Sequence, residues 1–198
     1  VHGFGVEDTT FPQLGCDVLV AGCHKWLFGP RGTGVMFFSP LALSRLSPTI
    51  PSFLAHDAYS AWIGNYDPGP TTAARMTPGG FKAFEQVWSL NEAFGCHQML
   101  GKPHIANRTH ELATLLKTGL SALPNVRVRT PLSPQMSAGI VSFDVAGHSA
   151  RDTVSRLRSW RIIGSAAPYA EQHARLTPSI RNTPEDIAFA IKAVAAMG

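Results

Sequence analysis

Residues 16–34 read CDVLVAGCHKWLFGPRGTG: an apolar run closes on a histidine and a lysine, and three glycines and a proline follow between positions 29 and 34. Asp17-Val-Leu-Val-Ala21 is β-branched and apolar over a strand's length. Such a run, placed at about 14–23, is expected as a strand buried on both faces, with Lys25 at its mouth. The Gly/Pro turn then leads into Gly34-Val-Met-Phe-Phe-Ser39, a neighbouring strand reached by a hairpin-like connection. Cys23 and His24 alternate along the first strand, which puts the thiol on the opposite, buried face from the imidazole.

Working outward, the chain from 40 to 79 carries Pro, Gly, Ser and Tyr together with Trp62. It is too apolar for a flexible linker and is expected as a long, ordered, irregular segment of the functional or interfacial kind. Helical patterns run from 81 to 100 and from 104 to 123, parted at Pro103. Leu112, Leu115, Leu116, Leu120 and Leu123 form an apolar stripe on the second. Beyond Pro124 the units shorten. Val126-Arg-Val-Arg129 alternates like an edge strand, residues 138–145 form a better strand, and 149–160 reads as helical. Arg161-Ile-Ile-Gly164 and Ala174-Arg-Leu-Thr177 are expected as short strands. Thr183-Pro184-Glu185-Asp186 then supplies an N-cap, a proline at the first helical position and acid in the first turn. Ile187, Ala190, Ile191 and Val194 follow at helical spacing. The expected organisation is an α/β domain over residues 1–110, including a long interdomain helix, and a small α+β domain over 111–198.

Composition narrows the function classes. The 198 residues are 44% hydrophobic and 15% charged, ordinary globular material without a low-complexity tract. The formal charge of +4 arises from 17 Lys+Arg against 13 Asp+Glu, scattered singly. That pattern favours anionic small molecules over nucleic acid, which needs clustered basic residues. No stretch reaches the ~18 apolar residues of a membrane span, so no membrane partner is expected. The three cysteines, Cys16, Cys23 and Cys96, fall outside any CxxC pattern, and the eight histidines form no HExxH pair. Neither a disulfide framework nor a metal site is expected. The four tryptophans, Trp26, Trp62, Trp88 and Trp160, are expected in core or interface packing. A cytoplasmic location is the default. The chain begins Val1-His2-Gly3-Phe4-Gly5, without a methionine and as if leaving a strand, so a C-terminal fragment is expected and an upstream targeting segment is left open.

A strand-end lysine beside a histidine and before glycines suits either a phosphate contact or an amine that forms an imine. A P-loop requires Lys-Ser or Lys-Thr after its glycines, and a nucleophile elbow requires GxSxG; the chain has neither. A snorkelling surface lysine is the plainer alternative. The segment from Cys16 to Gly34, however, resembles the cofactor-lysine segment of the class V aminotransferase family, pyridoxal phosphate (PLP) enzymes of fold type I. Two further stretches resemble that family in the same order. Met76-Thr77-Pro78-Gly79-Gly80-Phe81 is similar to a segment of its isopenicillin N epimerase-like branch, and Ala174-Arg-Leu-Thr-Pro-Ser-Ile-Arg-Asn-Thr183 to its closing Arg-x-Ser…Tyr-Asn-Thr signature.

The resemblance implies the C-terminal part of the large PLP-binding domain followed by the small domain. It implies that Lys25 holds pyridoxal 5'-phosphate as a Schiff base and then moves protons at the α-carbon of an amino-acid substrate. Such a lysine must be neutral to attack, a state that burial and nearby positive charge favour. By the same resemblance His24 lies against the cofactor phosphate and His2 hydrogen-bonds the 3-oxygen of the ring. Thr77 reaches the phosphate bound by a neighbouring subunit of a homodimer, with helix capping as its alternative role. Arg175 takes the substrate carboxylate, while Asn182 and Thr183 read as caps. The aspartate that pairs with the ring nitrogen would precede Val1, so the isolated chain is expected to be inactive. Gly22, Met76 and Arg181 depart from the usual family residues at their positions. Cysteine desulfurases carry a sulfur-accepting cysteine in the small domain, where this chain has none, so transamination, epimerisation or lyase chemistry is expected instead. The alternative is a non-catalytic or degenerate homologue that never forms the imine.

Overall fold

A computed structural model of the chain describes residues 2–198, which fall into two compact units. Thr9–Met99 with the residues up to Gly5 form the first, and Leu100–Gly198 with Val6–Asp8 form the second. The expected boundary at 110/111 falls inside a continuous helix, α5 (Lys102–Ser121), and the division comes before it. The reason lies in packing: α5 buries Leu112, Leu116 and Leu120 in the core of the second unit.

In the first unit β1 (Val18–Gly22) and β2 (Gly34–Phe38) form an antiparallel pair, with Val18 opposite Phe38 and Gly22 opposite Gly34. The hairpin connection is as expected, but burial on both faces is not: Val18 is 39% and Val20 58% exposed. These two alternate residues share one face, which stays open, while Ala21 on the other face is buried; among the described residues β1 pairs only with β2. The segment 40–79 is less irregular than its composition suggests. Ser39 accepts a hydrogen bond from the Ala42 amide and caps α1 (Pro40–Arg45), and α2 (His56–Gly64) stops at Asn65 in the left-handed region. The 81–100 helix is interrupted at Ser89, giving α3 (Phe84–Trp88) and α4 (Leu90–Leu100). Trp26 is buried in the core, whereas Trp62 and Trp88 are exposed on this chain and do not pack in its core.

In the second unit Pro103 stands in the first turn of α5 after Gly101, where its missing amide costs nothing. A four-stranded antiparallel sheet follows, in the order β3 (Val126–Val128), β4 (Val141–Val145), β6 (Ala174–Leu176), β5 (Ser165–Ala166). β3 is the expected edge strand. The short strand expected at 161–164 forms instead at Ser165–Ala166, after Arg161 in the left-handed region. Helices α6 (Ala150–Ser159) and α7 (Pro184–Ala195) complete the unit. Val141, Phe143, Val145, Ala174 and Leu176 turn one sheet face into a single core with Leu157 of α6 and Ile187, Ala190 and Val194 of α7. Leu115, assigned to the apolar stripe, is 44% exposed. Thr183 caps α7 in a reciprocal box with Asp186, as the sequence requires.

Candidate active site

The lysine turn is built from the end of β1. After Gly22 the chain leaves the strand, and the Phe28 amide donates to the Lys25 carbonyl at 3.1 Å while the Gly29 amide donates back to the Cys23 carbonyl at 2.8 Å. A side chain at position 29 has no room: a Cβ there would lie 2.7 Å from Leu90 Cδ2 and 2.9 Å from the Cys23 carbonyl. Cys23 is buried and His24 exposed, as expected, although both lie beyond the end of β1 rather than alternating along it. Burial pushes the Cys23 thiol up, with a hydrogen bond to Thr33 partly opposing it, which disfavours the reactive thiolate.

The N-terminal segment lies across this turn. Gly5, at φ 85°, brings its backbone so close that a Cβ would meet the Leu27 amide at 2.9 Å, and Phe4 packs beside Cys23, Leu27 and Leu90. This placement sets His2 Nε2 2.9 Å from Lys25 Nζ. Lys25 is half-buried and pairs with no carboxylate among the described residues. An amine without an acidic partner, in hydrogen-bond contact with an imidazole and flanked by a second, exposed imidazole, is a donor set that fits an aldehyde cofactor carrying a phosphate.

Thr77 is half-buried in a turn, its amide donating to the Ala74 carbonyl at 3.2 Å. It caps no helix: α3 begins seven residues later, at Phe84. Arg175 belongs to the second unit, on the sheet face away from the core. It stands between Ser142 of β4 and Ser165 of β5 in register, and its Nη2 donates to Ser165 Oγ at 3.2 Å. Two residues along β6's path, His173 Nδ1 lies 2.7 Å from Asp144 Oδ1, and Arg129 Nε donates to Asp144 Oδ2 at 2.6 Å. Burial alone would raise the Asp144 carboxyl, but hydrogen bonds from His173 and Arg129 outweigh it and hold the group below its usual value. Asp144 is therefore occupied, while Arg175 keeps its guanidinium free of any carboxylate among the described residues.

Sequence reasoning missed His97 of α4 and the Asp144–His173 pair. A signal for His97 was present: it follows Leu90, Ala93 and Phe94 at helical spacing, a polar residue on an apolar face. The Asp144–His173 pair depends on strand register, which spacing does not reveal.

The aminotransferase class-V family model matches residues 2–167, and this chain belongs to that family. Members of the family are PLP-dependent enzymes. The chain is similar to isopenicillin N epimerase of Streptomyces clavuligerus, 27% identical over 94% of this chain and 48% of the relative. It is also similar to the probable hercynylcysteine sulfoxide lyase of Mycobacterium tuberculosis, 27% identical over 92% of this chain and 45% of that protein. The chain thus spans about half the length of these curated relatives. Among solved structures, the apo cysteine desulfurase of Thermococcus onnurineus superposes with a TM-score of 0.82 at 19% identity, covering 98% of this chain and 50% of that one. The C-DES K223A mutant, which carries glycine covalently linked to its PLP cofactor, superposes at 0.81 and 23% identity, over 98% and 50% of the respective chains. The fold is that of these fold type I proteins.

Proposed function

We propose that this chain carries the cofactor lysine of a PLP-dependent enzyme acting on an amino acid, with Lys25 as its catalytic residue. The supporting observation is the Lys25 amine, without an acidic partner among the described residues, in contact with His2 at 2.9 Å within a turn that Gly5 and Gly29 allow to close. When bound, pyridoxal phosphate supplies an electron sink for the charge left when a bond at the substrate's α-carbon breaks. Lys25 Nζ holds the cofactor, and once released it moves a proton at that carbon. His2 shares a proton with Nζ and orients the cofactor ring. His24, exposed beside the lysine, donates to the phosphate, and Thr77 contributes a hydroxyl to the phosphate site of a partner subunit in a homodimer. Arg175 offers two parallel N–H donors to the substrate carboxylate, a geometry that lysine would not supply.

The chemistry proposed is transamination, epimerisation or elimination. All three cysteines precede residue 100, so the second unit carries no thiol to accept sulfur, and a desulfurase of the persulfide-forming type is not proposed. Full activity is assigned to a polypeptide that also supplies an acid for the ring nitrogen, and the 198 residues alone are proposed to be inactive. The test is α-proton exchange of a panel of amino acids in deuterated water, followed by NMR, with protein that contains this chain and added PLP. Exchange with at least one amino acid, lost in Lys25→Ala, supports the proposal. Exchange that persists in Lys25→Ala, or none above free PLP with any amino acid, favours the non-catalytic homologue.

A further inference from the structure

Helix α4 turns Leu90, Ala93, Phe94 and His97 toward the lysine turn, positions i, i+3, i+4 and i+7 of one face. The first three are apolar and pack with Cys23, Leu27 and Phe4. His97 takes the fourth place, and its ring hydrogen-bonds the Trp26 carbonyl, the peptide immediately after Lys25. Its Nε2 is buried without a partner among the described residues, which leaves Nδ1 as the bonding atom. A proton added at Nε2 would find no acceptor, and burial accordingly lowers the affinity of His97 for one. The ring also rests 6.2 Å, centroid to centroid, from Phe28, which sits at φ 59°. A bulky side chain holds that backbone conformation only where its surroundings impose it.

The turn's internal bonds, Phe28 to Lys25 and Gly29 to Cys23, close it upon itself. His97 ties it to a rigid helix from outside, at the peptide bond nearest the amine. We infer that His97 is a positioning residue for Lys25: its imidazole clamps the Trp26 carbonyl and braces Phe28, fixing the turn that aims the lysine amine at His2. The catalytic importance of that aim rests on the proposed role of Lys25; the clamp itself does not.

Three variants separate a clamp from mere core filling. His97→Leu keeps bulk and removes the donor; His97→Asn places an amide N–H where Nδ1 stood; His97→Gln places one near the Nε2 position. Two readouts need no cofactor: hydrogen exchange of the Phe28 and Gly29 amides, and the rate of Lys25 acetylation by acetic anhydride relative to Lys102 and Lys192, mapped by mass spectrometry. In His97→Leu both should rise about two- to tenfold, the loss of one net hydrogen bond, while exchange in α5 and α7 stays unchanged and reports an intact fold. His97→Asn should return both toward wild type and His97→Gln should not. Unchanged exchange and acetylation in His97→Leu, or equal behaviour of the Asn and Gln variants, would overturn the inference. Borohydride reduction and peptide mapping with PLP added to wild-type protein that contains this chain and supplies the ring-nitrogen acid separate the two claims: no pyridoxyl group at Lys25 there removes the proposed function, while exchange and acetylation still decide the clamp.

Discussion

Gly29 shows how tightly single residues constrain the lysine turn. Alanine there would push a methyl against Leu90 and the Cys23 carbonyl at distances below van der Waals contact. Gly29→Ala is expected to cost about 1–3 kcal/mol, read as a lower urea midpoint for the first unit by tryptophan fluorescence. Lys117 is the corresponding case in the second unit. Its side chain is buried to 1% exposure, and Nζ donates to the Pro131 and Leu132 carbonyls and to Ser137 Oγ. Lys117→Met leaves those acceptors unpaired and is expected to destabilise by about 1–3 kcal/mol, measured by chemical denaturation. Burial lowers the Lys117 pKa from 10.5. The folded state therefore binds fewer protons than the unfolded state just below that value, and this group's contribution to stability increases as pH rises through the window. The denaturation midpoint of the methionine variant should lack that increase. At this scale the sequence revealed Lys25, because its neighbours form a motif, and concealed Lys117, whose partners, two backbone carbonyls and a serine hydroxyl, are reached only through the fold.

Strand and helix ends carry the next set of expectations. The open face of the four-stranded sheet pairs Asp144 with His173 and Arg129. Because the folded Asp144 carboxyl lies below its usual 3.8, its contribution is complete above that pH and is lost as pH falls through the folded value. Asp144→Asn should therefore lower stability near neutrality, and the gap from wild type should close on acidification, as followed by urea midpoints across the acid range. At α7, Thr183→Ala removes the cap on the Asp186 amide and should cost about 1 kcal/mol, seen as a lower melting temperature. That cap was legible because capping chemistry is local: threonine, proline and two acids in a row admit few other readings. The short helices α1 and α2 were not, since six and nine residues are too few to build a clear period within a Pro- and Gly-rich tract. Full burial of β1 failed for another reason. An apolar run reports what a strand can bury, not which layer covers it.

Across the whole molecule the two units differ in how much core they own. The second gathers helices α5, α6 and α7 and one sheet face into a continuous cluster; the lysine-bearing unit centres on Cys23, Leu27 and Leu90. Large apolar side chains stay exposed in the first unit, among them Phe81 at 96% and Trp88 at 70%. Amide exchange should therefore be slower in β4, α5 and α7 than in β1 and β2, a contrast that mass spectrometry reads peptide by peptide. The α/β architecture was legible from the alternation of strand and helix patterns, and the family from three motifs in order. The division between units was not, because α5 looks the same from sequence whichever unit it packs upon. The central claim, that Lys25 carries the cofactor, is tested most directly by adding pyridoxal 5'-phosphate to protein containing this chain, reducing with borohydride and mapping the modified peptides. A pyridoxyl group confined to Lys25, and lost in Lys25→Ala, is the predicted result; no adduct, or adducts spread over exposed lysines such as Lys102 and Lys192, would contradict it.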